Sequence, residues 1–182
     1  WIENIKSESN RMSKLITSLL DLAKVEEEIH QKSYELTNLS KLVEKTILPL
    51  ESLIYEKNRS LDYNISKDIS FLCNTEEIKQ LLGILLDNAI KHSFENGSIT
   101  VNLKIDRNYI ILEVMNQGNP IPKGEEEKIF ERFYRVDKSR NRKENRYGLG
   151  LAIAKGIVTN HHGTITAFSN PEYTTFQVKF KK

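Results

Sequence analysis

The stretch RYGLGLAIAKGIV, residues 146–158, places Gly148 and Gly150 directly ahead of an apolar, helix-forming run. Glycine lets the main chain approach a neighbour closely and adopt positive φ, and both positions are expected to do so. A helix that starts there turns its unpaired N–H groups and the positive end of its dipole toward the loop. A phosphate chain is the natural guest of such a helix mouth. No lysine followed by serine or threonine comes after the glycines, which excludes a P-loop. The dinucleotide fingerprint G-x-G-x-x-G, which follows a strand and opens a βαβ unit, is excluded as well.

Helical and strand patterns alternate ahead of that helix. Residues 1–28 lack proline and glycine and set Ile5, Met12 and Leu19 seven apart, interleaved with Ser9, Ile16 and Ala23 at the 3-4 spacing of a helix seam. Leu15 and Leu22 widen the stripe enough for a helical bundle, while Glu3, Lys6, Glu8, Lys14 and Lys24 can face water. The stripe must meet either a partner helix or the chain's own globular part. After a turn near residues 30–40, Asn38 or Ser40 can cap a helix to about Asn58, kinked or broken at Pro49. SLDYNIS and SFLC read as strands. Asn74 or Thr75 then caps a helix through about residue 94, with Ile78, Leu81, Leu82, Leu85 and Ala89 as its buried face. GSITVNLKID and NYIILEVMN form a hairpin joined at Arg107-Asn108, and GTITAFS with TTFQVKFKK closes the chain as another. Between the hairpins lie residues 116–147, with a short helical patch at EEEKIFERFYR, and then the glycine-led helix 148–160. Helices set against antiparallel strands predict an α/β two-layer sandwich with a helical arm in front.

Bulk composition narrows the function. The 182 residues are 38% hydrophobic and 29% charged, and no apolar run approaches the roughly 20 residues of a membrane helix. With 27 basic against 25 acidic side chains the net charge is only +2, so nothing chain-wide points to nucleic acid. The lone Cys73 cannot form an internal disulfide, which fits a reducing compartment. Because the chain begins at Trp1 inside a helical pattern, it is expected to be part of something longer.

On the helix through residue 94, Asn88, Lys91 and His92 stand at i, i+3 and i+4 and share one face away from the main apolar stripe. An amide oxygen can coordinate a metal, a lysine can meet a phosphate and an imidazole can stack on a base. The competing assignment is a solvated face with Asp87 paired to Lys91. NQGNPIP, 116–122, turns the backbone sharply, either to expose amides to a ligand or as an ordinary turn. KSRNRKENR, 138–146, carries five basic residues against one acidic and can close over phosphates or stay solvated.

Taken in order, LLDNAIKHS, NQGNPIP, IFERFYRVDKSR and YGLGLAIAKGIV, with GTI and TTF behind them, resemble the N, G1, F and G2 boxes of the ATP-binding domain of sensor histidine kinases. NRMSKLITSLLDLAKVE resembles the second helix of that family's dimerisation and phosphotransfer hairpin. The resemblance implies a hairpin helix over 1–30 and, over 31–182, a Bergerat-type ATP-binding domain, a mixed sheet with helices on one face. It implies Mg·ATP held between the central helix and a lid at 116–147. Asn88 would ligate the metal, Lys91 would contact phosphate and His92 would lie beside adenine. Asn116 matches the family's adenine-reading aspartate, with Gly118, Ile121 and Tyr147 also on the nucleotide. Phe130 and Phe133 would anchor the lid, with Arg135 or Arg140 near the phosphates. Gly148, Leu149 and Gly150 would wrap the triphosphate, and Thr174 would close the adenine pocket. Departures from the family pattern are Ile84 in place of a second asparagine, Asn116 for aspartate, Pro120 for a glycine and Arg146-Tyr147 at the start of the G2 run.

The same resemblance implies transfer of the ATP γ-phosphoryl to a histidine followed by an acidic residue and, shortly after, a proline. None of the four histidines, His30, His92, His161 and His162, has that context. The acceptor is therefore expected upstream of Trp1, in a parent protein anchored in the membrane with this part cytoplasmic. A homodimer through residues 1–28 and a response-regulator receiver domain are the implied partners. A non-catalytic nucleotide-binding or dimerisation module with a degenerate lid is the alternative.

Overall fold

The structure, a computed structural model, describes residues 1–26, 33–136 and 147–182. Its centre is a five-stranded mixed sheet, ordered β2-β4-β5-β7-β6, with β2 (Ser60–Ile65) parallel to β4 (Ser98–Asp106) and every other pairing antiparallel. β5 is Tyr109–Gln117, β6 Thr164–Ser169 and β7 Tyr173–Lys181. One face carries alternate apolar residues, Val101 and Leu103 of β4, Leu112 and Val114 of β5, Phe176 and Val178 of β7, all buried. α4 (Thr75–His92) and α5 (Gly150–Asn160) lie against that face, which makes the expected two-layer sandwich. All five expected core residues of α4 are buried, and Leu86 and Ile90 join them.

Local chemistry sets the helix ends. Asn74 Oδ1 accepts from the N–H groups of Glu76 and Glu77 and starts α4, and Asn38 Oδ1 accepts from Lys41 N–H and starts α2 (Leu39–Ile47). Pro49 interrupts the next turns as expected. Residues 48–50 form a 3₁₀ turn and α3 resumes over Glu51–Glu56. Two local expectations fail. Residues Glu35–Asn38 are a strand, β1, paired antiparallel with β3 (Ser70–Cys73), where a turn is expected from sequence. The EEEKIFERFYR patch is helical only as a 3₁₀ turn at Lys128–Phe130.

The arm α1 (Ile2–Glu26) divides its apolar residues between two fates. Ile5, Met12, Ile16 and Leu19 stay 40–64% exposed, while Leu22 and Val25 are buried against the globular part. Gly156 of α5 is the notch that admits the helix end, since a Cβ there would lie 2.4 Å from Val25 Cγ1. Asn160 Nδ2 donates to Val25 O at 2.8 Å and Gln80 Nε2 to Asp21 Oδ2 at 3.1 Å. Overpacking costs about 1–3 kcal/mol, so Gly156→Ala is expected to speed amide exchange of residues 19–26 by roughly ten- to hundredfold. Because alanine suits a helix better than glycine, α5 itself should not weaken. Unchanged exchange would show that the notch does not hold the arm.

Where α4 begins and α5 ends, Cys73, Tyr34 and the buried His161 cluster. His161 Nε2 accepts from Asn74 N–H at 3.1 Å, and its ring packs near Tyr34 and Phe71. This histidine is structural, and His30 lies outside the described residues. Burial pushes the Cys73 thiol above its ordinary 9.0, with Glu35 adding to the rise and Thr37 opposing it. Burial and then the Glu77 carboxylate raise the Tyr34 phenol above 10.0. The unfolded chain releases these protons first, so their contribution to stability is complete below pH 9.0 and is lost as pH climbs through and beyond 10.0. Denaturant midpoints measured across that window should fall with rising pH, and the earliest part of the fall should vanish in Cys73→Ala. A midpoint that rises with pH would contradict the assignment.

Candidate nucleotide-binding site

α4 is the spine of the site. Asn88, half-buried, and the exposed Lys91 and His92 lie on the helix surface that the apolar face leaves free. Ile84 and His92 are eight residues apart, about 12 Å along the axis at 1.5 Å per residue. Each lies beside a glycine, one at the start of α5 and the other in the turn after β5. Ile84 Cγ2 is 3.4 Å from the position a Cβ would take on Gly150, and the His92 carbonyl oxygen is 2.2 Å from the corresponding position on Gly118. The mouth of α5 therefore meets one end of this face and the 116–118 turn meets the other.

At the first end, α5 starts at Gly150 behind Leu149, and among the described residues no side chain caps it, so its opening N–H groups suit an anionic ligand. Gly148 has φ +68°, as expected, but Gly150 does not have positive φ. The two glycines thus differ in purpose. A Cβ on Gly148 would stand 2.6 Å from Tyr134 O, and Phe133 N–H donates to Gly148 O at 3.0 Å, so this glycine joins the loop to the lid. Leu149 is buried, so its side chain belongs to the core.

Of the two rings expected to anchor a lid, only that of Phe130 is packed. Phe130 is buried with its ring edge-on to Phe176 at 6.2 Å, whereas Phe133 is 60% exposed and contributes through its backbone. Its φ of +61° turns the side chain outward. Phe133 and the half-buried Arg135 line an open cavity of about 440 Å³ with Arg132 and Tyr134. Tyr147 is half-buried against the core, and Arg140 and Arg146 lie outside the described residues. Ile121 N–H donates to Ser169 Oγ at 2.9 Å, which pins the turn to β6. No sequence motif marks Ser169 for that positioning task.

At the second end, Asn116 of β5 pairs with Thr174 of β7. Thr174 is buried and its Oγ1 donates to Asn119 O at 3.4 Å. Asn116 is 1% exposed, and neither Oδ1 nor Nδ2 has a hydrogen-bond partner among the described residues. An unpaired buried amide costs about 1–3 kcal/mol, so this one is suited to a ligand that donates and accepts at adjacent atoms. The Watson–Crick edge of adenine has that pattern, and the residues present fit the base.

Lys91 forms an ion pair with Asp87, the competing arrangement weighed from sequence. An exposed pair of this kind contributes about 0–1 kcal/mol, so a phosphate can take the ammonium over at small cost. For a metal, Asn88 offers a hard amide oxygen on the same face, of the type magnesium takes together with nucleotide phosphates.

Residues 73–182 match the family model described as Histidine kinase-, DNA gyrase B-, and HSP90-like ATPase. The sensor protein DltS of Streptococcus agalactiae is 36% identical over 179 residues, 98% of this chain and 45% of its own length. The signal transduction histidine-protein kinase ArlS of Staphylococcus haemolyticus is 37% identical over 175 residues, 96% of this chain and 38% of its own. The chain therefore spans less than half the length of these curated relatives. Histidine kinase ThkA, solved in complex with response regulator TrrA, superposes with a TM-score of 0.79 at 26% identity, over 99% of this chain and 51% of that one. Among the described residues no helix is long and apolar enough to cross a membrane. The fold, the family match and the relatives agree: the chain belongs to the histidine kinase-, DNA gyrase B- and HSP90-like ATPase family and, within it, to the catalytic domains of sensor histidine kinases.

Proposed function

We propose that this chain binds Mg·ATP and transfers its γ-phosphoryl to a histidine on a helix preceding the residues described, as the catalytic part of a sensor histidine kinase that relays to a response-regulator receiver domain. The observation that carries the proposal is the paired character of the α4 face, with a buried amide, Asn116, at one end and the mouth of α5 at the other, the first without a partner and the second without a side-chain cap among the described residues. In this assignment residues 31–182 form the catalytic domain, and residues 1–30 belong to a dimerisation hairpin inside a membrane-anchored parent. The exposed seam of Ile5, Met12 and Ile16 would be the homodimer contact.

Phosphoryl transfer depends on alignment and charge neutralisation more than on covalent help from the protein. Asn116 reads the base between Thr174 and the bare Cα of Gly118, with Ile121 and Tyr147 beside it and His92 at the base's edge. The N–H groups at Gly148, Leu149 and Gly150 receive the phosphates, and Lys91 leaves Asp87 to join them. Arg135 or Arg140 brings positive charge to the phosphates, and Phe130 anchors the segment that leads to them. When bound, magnesium supplies neutralisation of the phosphate charge, and Asn88 gives it an amide oxygen. Asn88→Ala is accordingly expected to lower affinity for ATP at least tenfold with magnesium present and to change it little with EDTA, as read by titration of a fluorescent ATP analogue. Equal losses in both conditions would remove Asn88 from the metal.

Mixing the chain with γ-labelled Mg·ATP and a separately made phosphoacceptor hairpin tests the function. Label on the hairpin histidine is expected. Nucleotide binding without transfer would favour the non-catalytic module, and steady hydrolysis without acceptor would favour an ATPase outside signalling.

A further inference from the structure

The departure at position 116 changes what the base end can accept. A carboxylate only accepts hydrogen bonds, whereas the Asn116 carboxamide donates through Nδ2 and accepts through Oδ1. Both atoms are buried and unpaired among the described residues, so no internal hydrogen bond dictates which of them faces the base. Its closest glycine neighbour imposes no side chain either, since Gly118 meets Nδ2 with a bare Cα, 2.8 Å from where a Cβ would stand. Across the strand pair, the Thr174 hydroxyl is directed to Asn119 O and does not compete for the amide.

Adenine presents an amino donor at C6 beside the N1 acceptor, and guanine presents a carbonyl acceptor at C6 beside an N1–H donor. Half a turn of the carboxamide about its last torsion exchanges Oδ1 and Nδ2 and matches either edge with two hydrogen bonds. An aspartate in the same place would meet the guanine carbonyl with like partial charge. We infer that Asn116 makes this a dual-purine site, which takes GTP as well as ATP as phosphoryl donor. The inference rests on the site holding a purine nucleotide, as proposed above, and deepens that assignment by naming its substrate class.

The test is competition of unlabelled ATP and GTP against a fluorescent ATP analogue, with magnesium, on the full chain and on Asn116→Asp. For the unaltered chain, GTP is expected to bind within about tenfold of ATP, and Asn116→Asp is expected to shift the preference toward ATP by at least a further tenfold, the scale of one good hydrogen bond exchanged for a repulsive contact. GTP more than tenfold weaker than ATP on the unaltered chain overturns the inference and leaves ATP binding standing. No displacement or binding of either nucleotide overturns the nucleotide site itself and this inference with it. A folded Asn116→Asp, checked by thermal unfolding, whose preference matches the unaltered chain also overturns it. If the aspartate variant does not fold, the ratio on the unaltered chain decides alone.

Discussion

Gly148→Ala is expected to weaken Mg·ATP binding at least a hundredfold, whereas Gly150→Ala, two residues away, should weaken it far less. The contrast comes from backbone geometry. Gly148 sits at φ +68°, where a side chain costs about 1–2 kcal/mol, and its added Cβ would press on Tyr134 O at 2.6 Å and on Phe133 C at 2.9 Å. Those are main-chain atoms that cannot rotate away, so the loop and the lid must separate, and with them the N–H groups that would hold the phosphates. At Gly150 a Cβ meets nothing nearer among the described residues than Ile84 Cγ2 at 3.4 Å. Titration of a fluorescent ATP analogue on both variants, with unfolding followed separately, distinguishes the positions. Equal losses, or the larger loss at Gly150, would show that Gly148 is not the joint between loop and lid.

The second large effect is expected on stability. Gly118→Ala puts a Cβ 2.2 Å from the His92 carbonyl oxygen and 3.1 Å from its carbon, at the bridge where Ser93 pairs with Gly118. The end of α4 and the turn after β5 cannot both stay in place. A destabilisation of about 3 kcal/mol is the scale of severe overpacking, and in a chain of this length it lowers Tm by roughly 6–12 °C. Calorimetry of the variant checks this, and a Tm within a degree or two of the parent would mean that the turn moves without resistance. Because the same backbone atoms frame the base end, nucleotide affinity should fall in parallel.

Much of this arrangement is legible in the sequence because each motif combines a local rule with a fixed place in chain order. Side-chain chemistry announces two helix starts, at Asn38 or Ser40 and at Asn74 or Thr75, and in both the asparagine is the cap. The alternation in SITVNLKID reports a strand with one buried face, the apolar run in YIILEVMN is buried on both, and Val101, Leu103, Leu112 and Val114 occupy the face that the helices cover. What escapes is set by distant partners. β1 exists because residues 35–38 meet Ser70–Cys73, a pairing that a four-residue segment ending in a helix cap does not signal. Phe130 and Phe133 look equivalent in the F box, yet a positive φ turns Phe133 out while Phe130 reaches Phe176. The two glycines of the opening motif are alike on paper, and the positive φ of Gly148 together with the close passage of Phe133 and Tyr134 separates their roles. In α1 the periodic stripe is real, but its last turns dock on α5 through Gly156 while the earlier ones stay exposed.

A crystal structure of the chain with a non-hydrolysable ATP analogue and magnesium would locate the nucleotide. The base should lie within hydrogen-bond distance of the Asn116 amide, with the phosphates against the N–H groups that open α5. A nucleotide bound elsewhere, with the Asn116 amide still unpartnered, would contradict the account.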